Sequence, residues 1–212
     1  VGAVGTIDVT GGDGPSIEVK AERVAHAPTD EAAKVIPSRI RILEDVTPNA
    51  IVLRNEGLDG VVIGIELEVN FHVTVPRATR LRLRTASGDI TVSNMGGRVV
   101  ASTTNGTIIG TGLAGGVEAR TTNGNVTLDV AALANDPLEL RTTNGAIALT
   151  LPAAANAVVD ATCVNGTIAV EGFSLEASDQ GKRRRVRGTI NGGGTLVQLA
   201  STNGNITLKA AP

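Results

Sequence analysis

The sequence predicts an all-β fold, wound as a β-solenoid of short stacked strands, on three observations. A unit of the form Asn-Gly-x-Ile/Val recurs from residue 87 onward. Apolar and polar residues alternate with period two on both sides of each unit. Hydrophobic residues make up 42% of the 212, yet there is no Trp, no Tyr, and only Phe71 and Phe173. A core without aromatics is built from Val, Ile, Leu, Ala and Thr, which suit thin, regularly repeated layers. The 26 glycines fit many tight turns.

Along the chain, Ser16 to Val24, Arg39 to Glu44, Ala50 to Arg54 and Val61 to Val75 read as strands. Thr29 to Val35 reads as one short helix, with Thr29 as N-cap, Asp30 and Glu31 in its first turn, and Pro37 as its stop. Repeat signals are weak here, apart from Gly5-Thr6-Ile7-Asp8-Val9. Residues 1–80 are therefore expected to be an irregular β cap, continuous with a repeat solenoid over 81–212, since a stack end needs protection from edge-to-edge growth.

The repeats are Ser87-Gly88-Asp89-Ile90, Asn105-Gly106-Thr107-Ile108, Asn123-Gly124-Asn125-Val126, Asn144-Gly145-Ala146-Ile147, Asn165-Gly166-Thr167-Ile168 and Asn203-Gly204-Asn205-Ile206. Their glycines are 18, 18, 21, 21 and 38 residues apart, and the long gap holds a degenerate copy, Arg187-Gly188-Thr189-Ile190. Alignment exposes columns: Leu81, Val99, Val117, Leu138, Val159 and Val197; then Leu83, Ala101, Ala119, Leu140, Ala161 and Leu199; then Thr85, Thr103, Thr121, Thr142, Cys163 and Ser201. After each corner, Ile90, Ile108, Val126, Ile147, Ile168 and Ile206 form another. Each unit is thus strand, corner, strand. About six such rungs stack in parallel, because like residues recur at like places. The alternative is an antiparallel β-meander, since Asn-Gly between alternating strands is also the strongest hairpin signal.

These units resemble a bacterial adhesin repeat family of unknown function, similar in turn to auto-transporter adhesin head domains. The resemblance spans nearly the whole chain, from Gly5-Thr6-Ile7-Asp8-Val9, through Val73-Thr74-Val75-Pro76 and Ser87-Gly88-Asp89-Ile90, to Thr202-Asn203-Gly204-Asn205-Ile206. The family often carries Asp after the glycine, and only Asp89 matches. The resemblance implies a β-solenoid, a location outside the cytoplasm, and adhesion as a label tied to no particular residue.

Charge narrows the function. The net charge of -2 and pI of about 5.7 give no global attraction to nucleic acid, and base-stacking aromatics are lacking. Cys163 is the lone cysteine, so neither an internal disulfide nor a cysteine zinc site is expected. No stretch approaches the ~18 apolar residues of a membrane span, and a targeting signal is expected to lie outside these residues. No cofactor or metal is expected, because His26 and His72 lack obvious partners. No catalytic residues are expected either: Glu118 and Glu139 stand beside Arg120 and Arg141, the pattern of cross-strand charge pairing.

The corner residues Asn105, Gly106, Asn123, Gly124, Asn144, Gly145, Asn165, Gly166, Asn203 and Gly204 read chiefly as structural. Asn and Gly tolerate the left-handed backbone of a tight turn, and stacked amides bond along a ladder. Thr104, Thr122, Thr143 and Thr202 have outward parity and are the candidate binding face. Lys182, Arg183, Arg184 and Arg185, with Arg187, form the one dense basic run. It reads either as a dock for anionic lipid or wall polymer or as a solvated loop between the last repeats. The expected function is a non-catalytic, secreted or cell-envelope adhesin-like binding or scaffold module, with a glycan, cell-wall polymer or surface protein as partner. The alternatives are a carbohydrate-active β-helix enzyme and a self-assembling structural protein.

Overall fold

The computed structural model describes residues 4–26, 41–47, 50–56, 66–180 and 183–211. Within them the chain is all β, with no helix. The helix expected over Thr29 to Val35 lies outside the described residues. Each repeat contributes two strands about its corner: β6 (Leu81–Arg84) and β7 (Ile90–Ser93), β8 (Val99–Asn105) and β9 (Ile108–Leu113), β10 (Val117–Asn123) and β11 (Val126–Val130). The later ones are β12 (Leu138–Asn144) and β13 (Ile147–Leu151), β14 (Ala157–Asn165) and β15 (Ile168–Glu171), β18 (Thr195–Asn203) and β19 (Ile206–Ala210). First arms share an eight-stranded sheet and second arms a nine-stranded one. Both contribute to a single apolar core.

Pairing between repeats is parallel and in register, which excludes the meander. Val99 opposes Val117 and Val117 opposes Leu138, while Ile108 opposes Val126 and Val126 opposes Ile147. A parallel ladder puts identical column positions one above another, so the inward parity buries Val, Leu, Ile and Ala at 2% exposure or less over most of its length. One layer departs from pattern. Leu128 faces Gly110, and a bulge brings Leu113 into the space that Gly110 leaves.

Stacking order is not chain order. The last repeat, β18 and β19, lies between β12/β13 and β14/β15. Leu138 therefore opposes Val197, and Val197 opposes Val159. The columns hold, but the expected direct contact of Leu138 with Val159 does not. The amino-terminal strand β1 (Ile7–Gly12) is likewise set within a sheet, between β7 and β5 (Glu66–Pro76), with Val9 facing both Val92 and Val73.

One end of each large sheet is antiparallel, and the other, at β15 or β6, stays parallel. β2 (Glu18–His26) covers β5, and β17 (Arg183–Ile190) covers β14, followed by β16 (Glu176–Gln180). The basic run is thus a strand, not a solvated loop, from Arg183 onward. The degenerate copy is no corner, because Gly188 lies within β17 opposite Val159. Asp160 supplies the reason, its carboxylate pairing with Arg185 and Arg187. β3 (Arg41–Thr47) and β4 (Ala50–Glu56) form a separate antiparallel hairpin.

Candidate functional site: the corner ladder and the faces beside it

The corners form one continuous polar ladder. Asn123 Nδ2 donates to Asn105 Oδ1, Asn144 to Asn123, Asn203 to Asn144 and Asn165 to Asn203, at 2.7–2.8 Å throughout. Just inside it runs a second ladder. The hydroxyls of Thr103, Thr121, Thr142 and Ser201 donate to the carbonyls of Gly88, Gly106, Gly124 and Gly145 at 2.9–3.1 Å, each in the neighbouring layer. Cys163 takes the same place, its thiol 3.1 Å from the Gly204 carbonyl. It is fully buried, and burial pushes the thiol pKa up, with nearby Arg184 opposing. The residue after each glycine alternates in role by layer. Asp89, Asn125 and Asn205 accept from the backbone N–H of Thr107, Ala146 and Thr167.

The sequence reading assigned these glycines to a left-handed turn. At Gly106, Gly124, Gly145 and Gly204 φ is positive, 148–159°, a backbone that L side chains rarely adopt, while Gly166 is the exception. Stacking adds a second demand for glycine: a Cβ on Gly124 would land on the Gly106 carbonyl oxygen, and one on Gly106 would land on that of Gly88.

Thr104, Thr122, Thr143 and Thr202 are exposed and lie side by side on the eight-stranded sheet, each flanked by in-register pairs. At ~4.8 Å per strand the four span roughly 14 Å. Beside them runs an ion-pair ladder, Arg98–Glu118–Arg120–Glu139–Arg141, with separations of 3.6, 3.0, 2.7 and 2.5 Å. Beyond it, at the sheet edge, Arg80, Arg82 and Arg84 are exposed with no ion-pair partner among the described residues. The nine-stranded sheet carries its own hydroxyl row, Thr74, Thr10, Ser93 and Thr111, in register. Neither this row nor the arginine edge was foreseen. Both depend on which strands β1 and β6 adjoin, and alternation alone could have signalled only their parity.

In the basic segment, Lys182 lies outside the described residues and Arg183 is described only as part of β17. Arg185 grips Asp160 with two hydrogen bonds of 2.9 and 2.6 Å, and Arg187 adds one of 3.1 Å. Arg185 first, then Arg187, holds the Asp160 carboxyl below its ordinary pKa against the opposing effect of burial. Arg184 donates to the Gly166 carbonyl at 2.5 Å. That oxygen ends the glycine column, so the guanidinium stands where the next layer's hydroxyl would be.

His72 has a partner that the sequence did not reveal: Asp8 Oδ2 lies 3.2 Å from its Nδ1, because β1 docks on β5. The pair lines a shallow surface groove of about 330 Å³ with Lys20, Glu18 and Thr74. Among the described residues, no three His, Cys, Asp or Glu side chains gather as a metal site would require, and no helix is long and apolar enough to cross a membrane.

No curated protein matches the chain. The solved structure of a candidate cell adhesion protein from Clostridium sporogenes ATCC 15579 is similar in fold, with a TM-score of 0.58 and 14% identity over 99% of this chain and 89% of that one. The Toastrack DUF4097 family matches residues 43–209, the span that holds the corner ladder, the eight-stranded sheet and all of the nine-stranded one but β1 and β2. That match covers well over half of the sequence, and with the adhesin-type repeats it establishes that the chain belongs to the Toastrack DUF4097 family.

Proposed function

We propose that this protein is a non-catalytic, adhesin-like binding or scaffold module working outside the cytoplasm, in the envelope or secreted, with a glycan or cell-wall polymer as its ligand. The observation that carries this reading is the flat row Thr104–Thr122–Thr143–Thr202 beside the Asn ladder: evenly spaced hydroxyls and amides on a rigid wall, suited to a polymer that repeats. Residues 1–80 act in this reading as the end cap of the stack, since β2 and β5 stand at the outer end of the nine-stranded sheet. The fold similarity to a candidate cell adhesion protein supports the same class of role. The segment Lys182 to Arg185 is an auxiliary contact for acidic polymers. Within it Arg184 and Arg185 already hold partners in the fold, so its share is smaller than the basic run suggests.

The test is binding of the purified protein to arrays of glycans and wall polymers, repeated with Thr122→Tyr/Thr143→Tyr. Bulk in mid-row is expected to weaken binding about tenfold, or 1.4 kcal/mol, with melting unchanged. Binding that is indifferent to this change, and to Arg184→Gln, would overturn the site. Failure of every polymer to bind would overturn the ligand class.

A further inference from the structure

The chain contains six Asn-Gly pairs: 105–106, 123–124, 144–145, 165–166, 191–192 and 203–204. In five the glycine N–H is engaged. Gly106 donates to the Asn123 carbonyl, Gly124 to Asn144, Gly145 to Asn203 and Gly204 to Asn165, each at 2.9 Å. Gly192 donates to Asn156 Oδ1 at 3.1 Å. Gly166 differs. Its layer is the last at the corner, with β15 the edge strand of its sheet, so no further corner offers it a carbonyl. Among the described residues its N–H has no acceptor. The side chain before it is also held from one side only. Asn165 is exposed and donates to Asn203 Oδ1, but among the described residues its own Oδ1 accepts nothing from a further layer.

We propose that Asn165-Gly166 is a built-in deamidation site, and that hydrogen bonding protects the other five pairs, four through the stack and Gly192 through Asn156. The Gly166 nitrogen, losing its proton to a solvent base, attacks Asn165 Cγ. The new N–Cγ bond closes a succinimide ring as the Cγ–Nδ2 bond breaks and ammonia departs. Water then opens either ring carbonyl, leaving aspartate or isoaspartate. One water is consumed and one ammonia released, with no other reactant. The attack requires a peptide nitrogen free to give up its proton and turn toward its own side chain. A nitrogen locked as donor to the next layer can do neither until that layer opens. The product carboxylate faces Asn203 Oδ1, acceptor against acceptor. The last rung of the amide ladder is lost, and negative charge appears at the open end of the stack.

The test is incubation of the intact protein at mildly alkaline pH, with peptide mapping at intervals. Asn165 is expected to convert about five- to tenfold faster than any other Asn-Gly pair, the factor set by freeing one ladder hydrogen bond. In denaturant all six should react at similar rates, because glycine follows each. Equal rates in the folded protein, or an equal lead for Asn165 in the unfolded one, would overturn the proposal. Asn165→Asp should speed amide exchange across Ile168–Glu171 relative to β13. Unchanged exchange there would overturn the loss of the ladder rung.

Discussion

Five hydroxyls and one thiol serve the same inner slot, each facing a glycine carbonyl of the adjoining layer. Cys163 is the weakest donor of the set. Cys163→Thr should therefore fold normally, with stability within about 1 kcal/mol of the parent, whereas Cys163→Ala strands the Gly204 carbonyl and should cost about 1–2 kcal/mol in denaturant melts. With the side chain buried and its pKa raised, a thiol reagent should label the native protein only as fast as the site opens; rapid labelling would contradict this. The glycines make a sharper case. Gly124→Ala collides with a backbone carbonyl that has no room to yield, and should cost about 3 kcal/mol or more. Gly14→Ala, whose added Cβ would meet the Ser16 hydroxyl at an ordinary 3.8 Å, should stay within about 0.5 kcal/mol. The inward parity of Thr121 or Cys163 was legible, because period two is written in the chain itself. The positive φ of Gly124 was legible too, but its collision was not, since the atom a Cβ would strike belongs to another layer.

At the scale of elements, β17 shows what the charges concealed. Val186 and Ile190 are buried at alternate positions with Gly188 between them, an ordinary strand pattern masked by Arg185 and Arg187 until Asp160 is set opposite. A carboxyl whose pKa is depressed in the fold stabilises it above the ordinary carboxylate range. That contribution fades as pH falls through the depressed value. Below about pH 4, amide protection along β14 and β17 should drop. Asp160→Asn should lower protection at neutral pH and flatten its acid dependence; the same acid slope in parent and variant would rule the ion pair out as the cause. The ladder of Glu118, Arg120, Glu139 and Arg141 was readable beforehand, since acids and bases at matching columns must meet once pairing is parallel. The Asp8–His72 pair was not, because nothing in the repeat spacing says that β1 lies against β5.

For the whole molecule, the sequence specified the layers but not their order. β14 and β18 present equivalent columns, so composition does not distinguish them. Their one visible bond is length: both run nine residues, paired from Ala157 and Thr195 to Asn165 and Asn203. Removing residues 195–211 should abolish the single cooperative melt, since it empties the layer between β12/β13 and β14/β15. A truncated protein that melts like the parent would contradict that dependence. The same intercalation sets a kinetic problem. During synthesis residues 157–171 emerge before 195–210, at a time when the edge of β12 and β13 is open. Val159, Ala161 and Cys163 present columns equivalent to those of Val197, Leu199 and Ser201, so the earlier arm is expected to dock where the later one belongs. Reaching the native order then means prising this provisional pair apart and threading the last arm between its halves. Refolding should accordingly show a slow phase that vanishes when residues 195–211 are deleted, and that quickens when Val159→Thr weakens the provisional contact.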